Sequence, residues 1–512
     1  MNKQTFLIAL TVSLGGFLFG FDAGIISGVM EYAGPFFGLN EVQTGWATSC
    51  PTFVAMFAML VAGKLSDVVG RKPILIVVAF LYLISAVWSA YASSYETLCI
   101  ARMIGGAAFG AALILAPTYI AEIAGAKNRG KLVSIQQLNI VLGFFVAFLS
   151  NYFFNLWYTE GSEFLTDENV WRWMLGVEAL PAVLYFLALF FVPRSPRWLF
   201  AQDRADEGRA VLTRLHGEEV GLSESQSIES SVNDESGRDK ASFFELFKPS
   251  LRFILIVGLV IGVLQQATGI NAIYFYATSI FKQTGIGTTS AFTQGVLLSF
   301  TSVVFTVLAI FTIDRIGRRP LMLCGIGGIA VSLLLCAYGF NQAKYQLSPE
   351  QAVAITGVEQ DKVAELAGLS FKNDVEFKNK MKALLGKDLY AKNEGAVLEG
   401  AIEMNANIVL VGVLGFIACF AFSLGPVMWV MLSEMYPNRI RGLAIGSIGL
   451  VNSFTAWFVT QIFPWELSNL GNSTSFLIFG LIAAAGTVVL YRILPETKGK
   501  SLEELENELI NN

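Results

Sequence analysis

Twelve apolar segments separated by polar turns run the length of the chain. Each approaches the ~20 residues that an α-helix needs to cross a hydrocarbon core. The predicted spans are roughly 5–29, 45–63, 74–92, 98–121, 132–155, 172–192, 251–277, 290–312, 320–340, 407–432, 443–465 and 473–494. The expected fold class is therefore an all-α membrane protein with twelve transmembrane helices. The N-terminal run continues past Gly20, contains Asp22 and lacks a small-residue cleavage pattern. It reads as the first membrane helix rather than a signal peptide. Glycines inside the first and fourth spans (Gly15, Gly16, Gly20, Gly24 and Gly28; Gly105, Gly106 and Gly110) permit close helix approach in lipid.

The polar turns repeat. GKLSDVVGRKP (63–73) is echoed by IDRIGRRP (313–320), and AEIAGAKNRG (121–130) by SEMYPNRIRG (433–442). This predicts two pseudo-symmetric six-helix halves, residues 1–192 and 251–494, the common build of secondary transporters. Between them, 193–250 forms a cytoplasmic linker. SPRWLFAQDRADEGRAVLTRLHG carries one apolar stripe at helical spacing, so short capping helices are expected there. The Ser/Glu-rich stretch that follows is expected to be a mobile linker. Asp67 and Glu122 lie 55 positions apart, whereas their counterparts Asp314 and Glu434 lie 120 apart. The difference of about 65 residues matches the polar segment 341–405, read as an extracytoplasmic insertion with two short helical patterns, SPEQAVAITG and DVEFKNKMKALLG. A lid, a partner site and a tolerated surface excursion are all open, and loops accept insertions readily. Residues 495–512 form a short cytoplasmic tail.

Composition narrows the picture. Hydrophobic residues make up 54% and charged residues 15%, against about 25% charged in soluble domains. Orientation follows the lysines and arginines of short loops. Loops 64–73, 122–131, 313–319 and 433–442 are basic, while the opposite loops hold Glu31, Glu41, Glu96, Glu160, Glu163, Asp167 and Glu168. The basic side is expected to be cytoplasmic, with both termini there, in a plasma membrane (the inner membrane of a Gram-negative cell). All five cysteines lie in or beside apolar segments without metal-ligand spacing, and the single histidine, His216, lies in a polar stretch. No metal, no cofactor and no catalytic triad or nucleotide loop is expected, so the chain is not expected to be an enzyme.

Ionisable groups at membrane depth are costly and therefore functional candidates. Asp22, Arg102 and Glu178 stand out; a carboxylate whose pairing with an arginine changes with conformation can load and release a proton. A static ion pair holding helices in register is the alternative. In the seventh span, Gln265, Gln266 and Asn271 of QQATGINAIYFYA supply the donors and acceptors that suit a polyhydroxylated solute. On an unbroken helix Gln266 and Asn271 would point about 140° apart, and Gly269 is where a break would let them converge. Gln137 belongs to the same class. Pro426 bends the tenth span near Trp429, whose ring can stack on a sugar. Asp67, Arg71 and Glu122 with Asp314, Arg318 and Glu434 read as a latch at the cytoplasmic helix ends, or as static topology determinants.

These motifs, together with RSPRWLF and LPETKGKSLEELE, resemble the sugar porter family of the major facilitator superfamily, particularly its bacterial xylose– and glucose–proton symporters. The resemblance implies alternating access around one central site. It implies that Gln137, Gln265, Gln266, Asn271 and Trp429 contact sugar, and that Asp22 carries the proton with Arg102 and Glu178 as partners. Departures are Arg194 in place of an acid, Phe144 in place of a glutamine, and Ser453 and Ala456 where a tryptophan and an asparagine are usual. The expected function is proton-coupled import of a monosaccharide such as xylose or glucose. Facilitated diffusion of a sugar or of myo-inositol is the alternative, and a non-transporting sugar sensor a third. Expected partners are the sugar, the proton and the bilayer, with no nucleic acid and a monomer as the working unit.

Overall fold

Twelve helices or helix pairs among the described residues are long and apolar enough to cross a membrane. The structure, a computed structural model, describes residues 3–125, 129–236, 242–346, 370–371, 373–500 and 504–505. The first half contributes α1 (Lys3–Phe37), α2 (Glu41–Val69), α3 (Arg71–Ala90), α4 (Tyr95–Ile123), α5 (Arg129–Thr159), α6 (Val170–Gly176) and α7 (Ala179–Leu189). The linker holds α8 (Pro196–Ala201), α9 (Ala205–His216) and α10 (Glu218–Ser236). The second half begins with α11 (Arg252–Ala267), α12 (Ile270–Phe275), α13 (Ala277–Lys282), α14 (Thr288–Ile316) and α15 (Arg318–Asn341). The insertion follows as β1 (Lys344–Gln346), β2 (Ser370–Phe371), α16 (Asp374–Leu385), α17 (Lys387–Ala401) and β3 (Ile402–Glu403). The last elements are α18 (Ala406–Phe422), α19 (Leu424–Met435), α20 (Asn438–Asn469) and α21 (Asn472–Ile493).

Three spans are broken, each for a local reason. Pro181 has no N–H for the carbonyl of Val177, which accepts instead from Leu180 N at 3.1 Å. This tight turn separates α6 from α7 and puts Glu178 at the joint. Pro426 likewise offers no donor to Phe422, and the tenth span parts at Ser423, between α18 and α19. In the seventh, Gly269 adopts φ 88° and ψ 17° between α11 and α12.

The chain forms two compact units that do not coincide with the sequence halves. The first comprises Met1–Asp22, Cys50–Phe144 and Leu175–Leu246. Its core is built on Tyr82, Tyr119, Ile120 and Tyr185, and its buried hydroxyls are satisfied by the backbone: Tyr82 donates to Gly15 O and Tyr119 to Pro193 O. Helices α1 and α5 touch backbone to backbone, since a Cβ on Gly143 would lie 2.1 Å from Phe17 O. Any side chain there would drive the helices apart.

The linker departs from expectation. The Ser/Glu-rich stretch expected to be mobile is helical through Ser236. α10 packs on α9, with Gly221 approaching the backbone of Thr213. That close approach is made at a glycine, which no apolar stripe announces.

The second unit comprises Ala23–Ser49, Phe145–Met174 and Phe247–Asn512. Within it α15 packs against α18 and α21, and α11 against α20. It also contains the acidic-loop ends of α1, α2 and α5, whose polar groups meet the second half there. Ser27 Oγ accepts from Thr278 N at 3.0 Å, and Ser49 donates to Gln461 at 2.8 Å. The insertion is part of this unit. Its strands form an antiparallel sheet in the order β2-β1-β3, with Tyr345 opposite Phe371 and Ile402. Together with α16 and α17 it encloses its own small core of Tyr345, Phe377, Met381, Leu385, Tyr390, Val397, Leu398 and Ala401. The DVEFKNKMKALLG pattern is α16; SPEQAVAITG lies outside the described residues.

Candidate functional site

In the first unit, Asp22 on α1 meets Arg102 on α4, Nη1 to Oδ1 at 3.2 Å. Asp22 is 4% exposed, Arg102 2% and Glu178 3%, and Glu178 lies within electrostatic reach of both. The set therefore has one permanent cation and two carboxyls. A buried net charge is strongly disfavoured, so the set is balanced when the two carboxyls hold one proton between them. The Asp22–Arg102 pair closes a sequence separation of 80 residues. Gln137, half-buried on α5, belongs to this same unit.

In the second unit, the break at Gly269 brings together the two amides that an unbroken helix would hold apart. Asn271 Nδ2 donates to Gln266 Oε1 at 3.1 Å. Gln266 Nε2 in turn reaches Gln265 Oε1 and Asn452 Oδ1, both at 3.3 Å. Asn452 closes the network by donating to Gln265 Oε1 at 2.7 Å and to Gly262 O at 2.8 Å. Gln265 and Asn452 are buried, whereas Gln266 and Asn271 are half-buried. The buried amides thus hold the half-buried pair in one orientation, with their donors and acceptors fixed. Trp429 on α19 is 43% exposed. Sequence reasoning missed Asn452; the signal available was an amide near the middle of an apolar span.

Gly269 is the hinge of this network. An alanine there meets a left-handed backbone and a Cβ only 3.0 Å from Phe479 Cδ2. We expect Gly269→Ala to cost about 1–2 kcal/mol and to weaken solute binding. Thermal unfolding of the purified protein in detergent checks this; an unchanged midpoint would contradict it.

The charged loop residues pair within each half, and the pattern is duplicated. Arg71 bridges Glu122 at 3.0 Å and Asp67 at 2.8 Å, and Ser195 donates to the other Glu122 oxygen at 2.5 Å. Arg318 bridges Glu434 at 2.9 Å, and Thr497 donates to its other oxygen at 2.5 Å. Glu496 accepts from the backbone N–H of Arg318 and of Arg319 at the start of α15, both at 3.1 Å, where the helix dipole favours an anion. The side chain of Asp314 lies outside the described residues. The hydroxyls Ser195 and Thr497 were not singled out from sequence, although RSPRWLF and LPETKGKSLEELE contain them. Arg194 lies over the Trp198 ring, its Cζ 6.0 Å from the centroid.

The family model for "Sugar (and other) transporter" matches residues 8–358 and 383–509. The chain belongs to that family. It is a multi-pass membrane transporter, and the family consists of transporters rather than enzymes. Among proteins similar to this sugar-transporter family member is the arabinose-proton symporter of Bacillus subtilis, 32% identical over 98% of this chain and 94% of that protein. The major myo-inositol transporter IolT of the same organism is 31% identical over 99% of this chain and 94% of its own length. A solved structure of the proton:xylose symporter XylE bound to 6-bromo-6-deoxy-D-glucose superposes with a TM-score of 0.72 at 28% identity, covering 99% of this chain and all of the other. The fold is therefore the major facilitator fold of two six-helix halves.

Proposed function

We propose that this protein imports a monosaccharide together with a proton by alternating access. The observation that carries the coupling is Asp22, a carboxylate buried at membrane depth against a single arginine with a second carboxyl nearby. Its protonation changes the charge that Arg102 sees, which gives the proton a way to bias the helices that carry them. The sugar is addressed by Gln266 and Asn271, held by Gln265 and Asn452, with Trp429 as an apolar stacking face; for Gln137, in the first unit, a sugar contact is proposed on the family resemblance alone. The relatives named for arabinose, xylose and myo-inositol support a polyhydroxylated solute of one ring. The basic loops face the cytoplasm with both termini, the membrane is the plasma membrane, and the monomer is the working unit. Arg71–Glu122 and Arg318–Glu434 serve as the cytoplasmic latch, each bracing its own half so that the helices of that half move together.

The deciding experiment is uptake of labelled arabinose, xylose, glucose and myo-inositol into proteoliposomes, with and without an inward proton gradient. Accumulation above equilibrium for one of them is expected only with the gradient. Equilibration that ignores the gradient would make the protein a passive carrier. The myo-inositol transporter among the relatives keeps a polyol as the second reading of the solute.

A further inference from the structure

Lys282, at the end of α13, is buried (8% exposed) yet fully charged in its surroundings. Its ammonium lies 2.5 Å from Glu31 of α1 and 3.1 Å from Glu394 of α17. Burial would lower the lysine, and the Glu31 and Glu394 carboxylates outweigh it, holding it above the ordinary lysine range. Burial would likewise raise Glu394, and the Lys282 and Lys378 ammonium groups hold it below the usual glutamate range instead. Gln283 Nε2 adds a second donor to Glu394 at 3.3 Å.

Around this triad the insertion is fastened to the second half. Asp374 at the start of α16 accepts from both Asn472 N and Nδ2, each at 3.0 Å, at the start of α21. α17 packs so closely on the start of α14 that a Cβ on Gly395 would lie 2.7 Å from Thr288 Oγ1. Among the described residues, its reach to the first half is different in kind: two charged ties and nothing apolar in them. One is Glu394–Lys282–Glu31; the other is Lys382 to Glu41 of α2 at 3.3 Å, with Ser468 on the same Glu41 oxygen at 3.2 Å. The family model skips 359–382, the stretch that supplies Asp374, Lys378 and Lys382.

We propose that the insertion is an outer clasp in which Lys282 is shared between a departing carboxylate, Glu31, and a resident one, Glu394, so that the outer end of α1 can be released without stranding a buried cation. The inference rests on the orientation and alternating access proposed above. The charges set its sign. With the end closed, one ammonium faces two carboxylates. When Glu31 swings into water, Lys282 stays paired with Glu394 and the local charge is balanced. Without Glu394, the closed state becomes a simple neutral pair and opening leaves a lone buried ammonium, which is costly. Glu394 therefore eases opening while Glu31 resists it, and the two carboxylates on one lysine have opposite effects.

The test is a distance measurement by pulsed electron spin resonance on the full chain in nanodiscs, with its five native cysteines replaced. Nitroxides are carried on Asn40→Cys at the start of α2 and Lys380→Cys on α16, both exposed positions. Glu31→Gln is expected to raise the ratio of long to short distances about tenfold or more, and Glu394→Gln to lower it by a similar factor, the range for hydrogen bonds to charged groups. Glu394→Asp is expected to restore part of the parent ratio. Shifts in the same direction for both glutamines, or no shift in either, would overturn the clasp. Lys382→Gln, which cuts only the Glu41 tie, gives an independent reading should Glu31→Gln fail to fold; it is expected to raise the ratio, and a fall would count against the proposal. The readout needs neither sugar nor a proton gradient, so a mistaken solute or a passive mechanism would show in uptake and leave these distances unchanged.

Discussion

Asp22→Asn is expected to abolish concentrative uptake while leaving exchange of labelled for unlabelled sugar within about threefold of the parent rate. A proton motive force of about 150 mV is worth roughly 3.4 kcal/mol per charge, or about a 300-fold gradient of a solute moved with one proton. The asparagine keeps the size and a hydrogen-bonding oxygen opposite Arg102, which sits 3.2 Å from the aspartate, but it cannot gain or lose a proton. The buried set then holds one cation and one carboxyl, Glu178, in every conformation. The conformational cycle survives and its link to the gradient does not. The measurement is the internal-to-external ratio at steady state under an imposed gradient, paired with counterflow in its absence. A variant that still concentrates sugar would remove Asp22 from coupling. One that fails in both assays while staying monodisperse would assign it the role of a structural ion pair.

Gln266→Ala is expected to raise the half-saturating sugar concentration about 10- to 100-fold with the steady-state accumulation ratio at saturating sugar unchanged. Gln266 is the hub of the amide network, accepting from Asn271 and donating to Gln265 and Asn452. Its loss removes one contact of the proposed sugar site and takes from Asn271 its hydrogen-bond acceptor in that network. Orphaned polar groups at such a site cost about 1–3 kcal/mol, and about 1.4 kcal/mol is tenfold in affinity. The accumulation ratio depends on the proton site, which this substitution does not touch. Asn452→Ala should follow the same pattern more weakly, because its contribution is to hold Gln265 and Gln266 in place. A lowered accumulation ratio in Gln266→Ala, with affinity intact, would reverse the assignment of the two sites.

Much of this protein was legible from its chain. The twelve spans, the duplicated halves and the position of the insertion follow from apolar length, from recurring charged turns and from spacing. All three are local along the sequence, because a bilayer demands an uninterrupted apolar helix whatever its neighbours are. Gly269 also announced itself, since a glycine between two amides is a place where a helix can turn the second toward the first.

What the chain could not state was which helix faces which. Lipid is as apolar as the interior of the bundle, so hydrophobic periodicity does not mark the buried side of a membrane helix. The pairing of Asp22 with Arg102, and of Asn452 with amides more than 180 residues away, lies where small residues let helices approach closely, Gly15 of α1 at Ala112 of α4 and Gly262 of α11 at Ile448 of α20. The same blindness hid α10, whose close approach to α9 is made at a glycine, Gly221, and the sheet of the insertion, whose described strands are only two or three residues long. The sequence by itself determined how many times the chain crosses the membrane and where its charges lie along it. Only the tertiary structure decided which of those charges share a lysine or an arginine, because that depends on the rotation and register of each helix, and these are set by contacts between residues far apart in the chain.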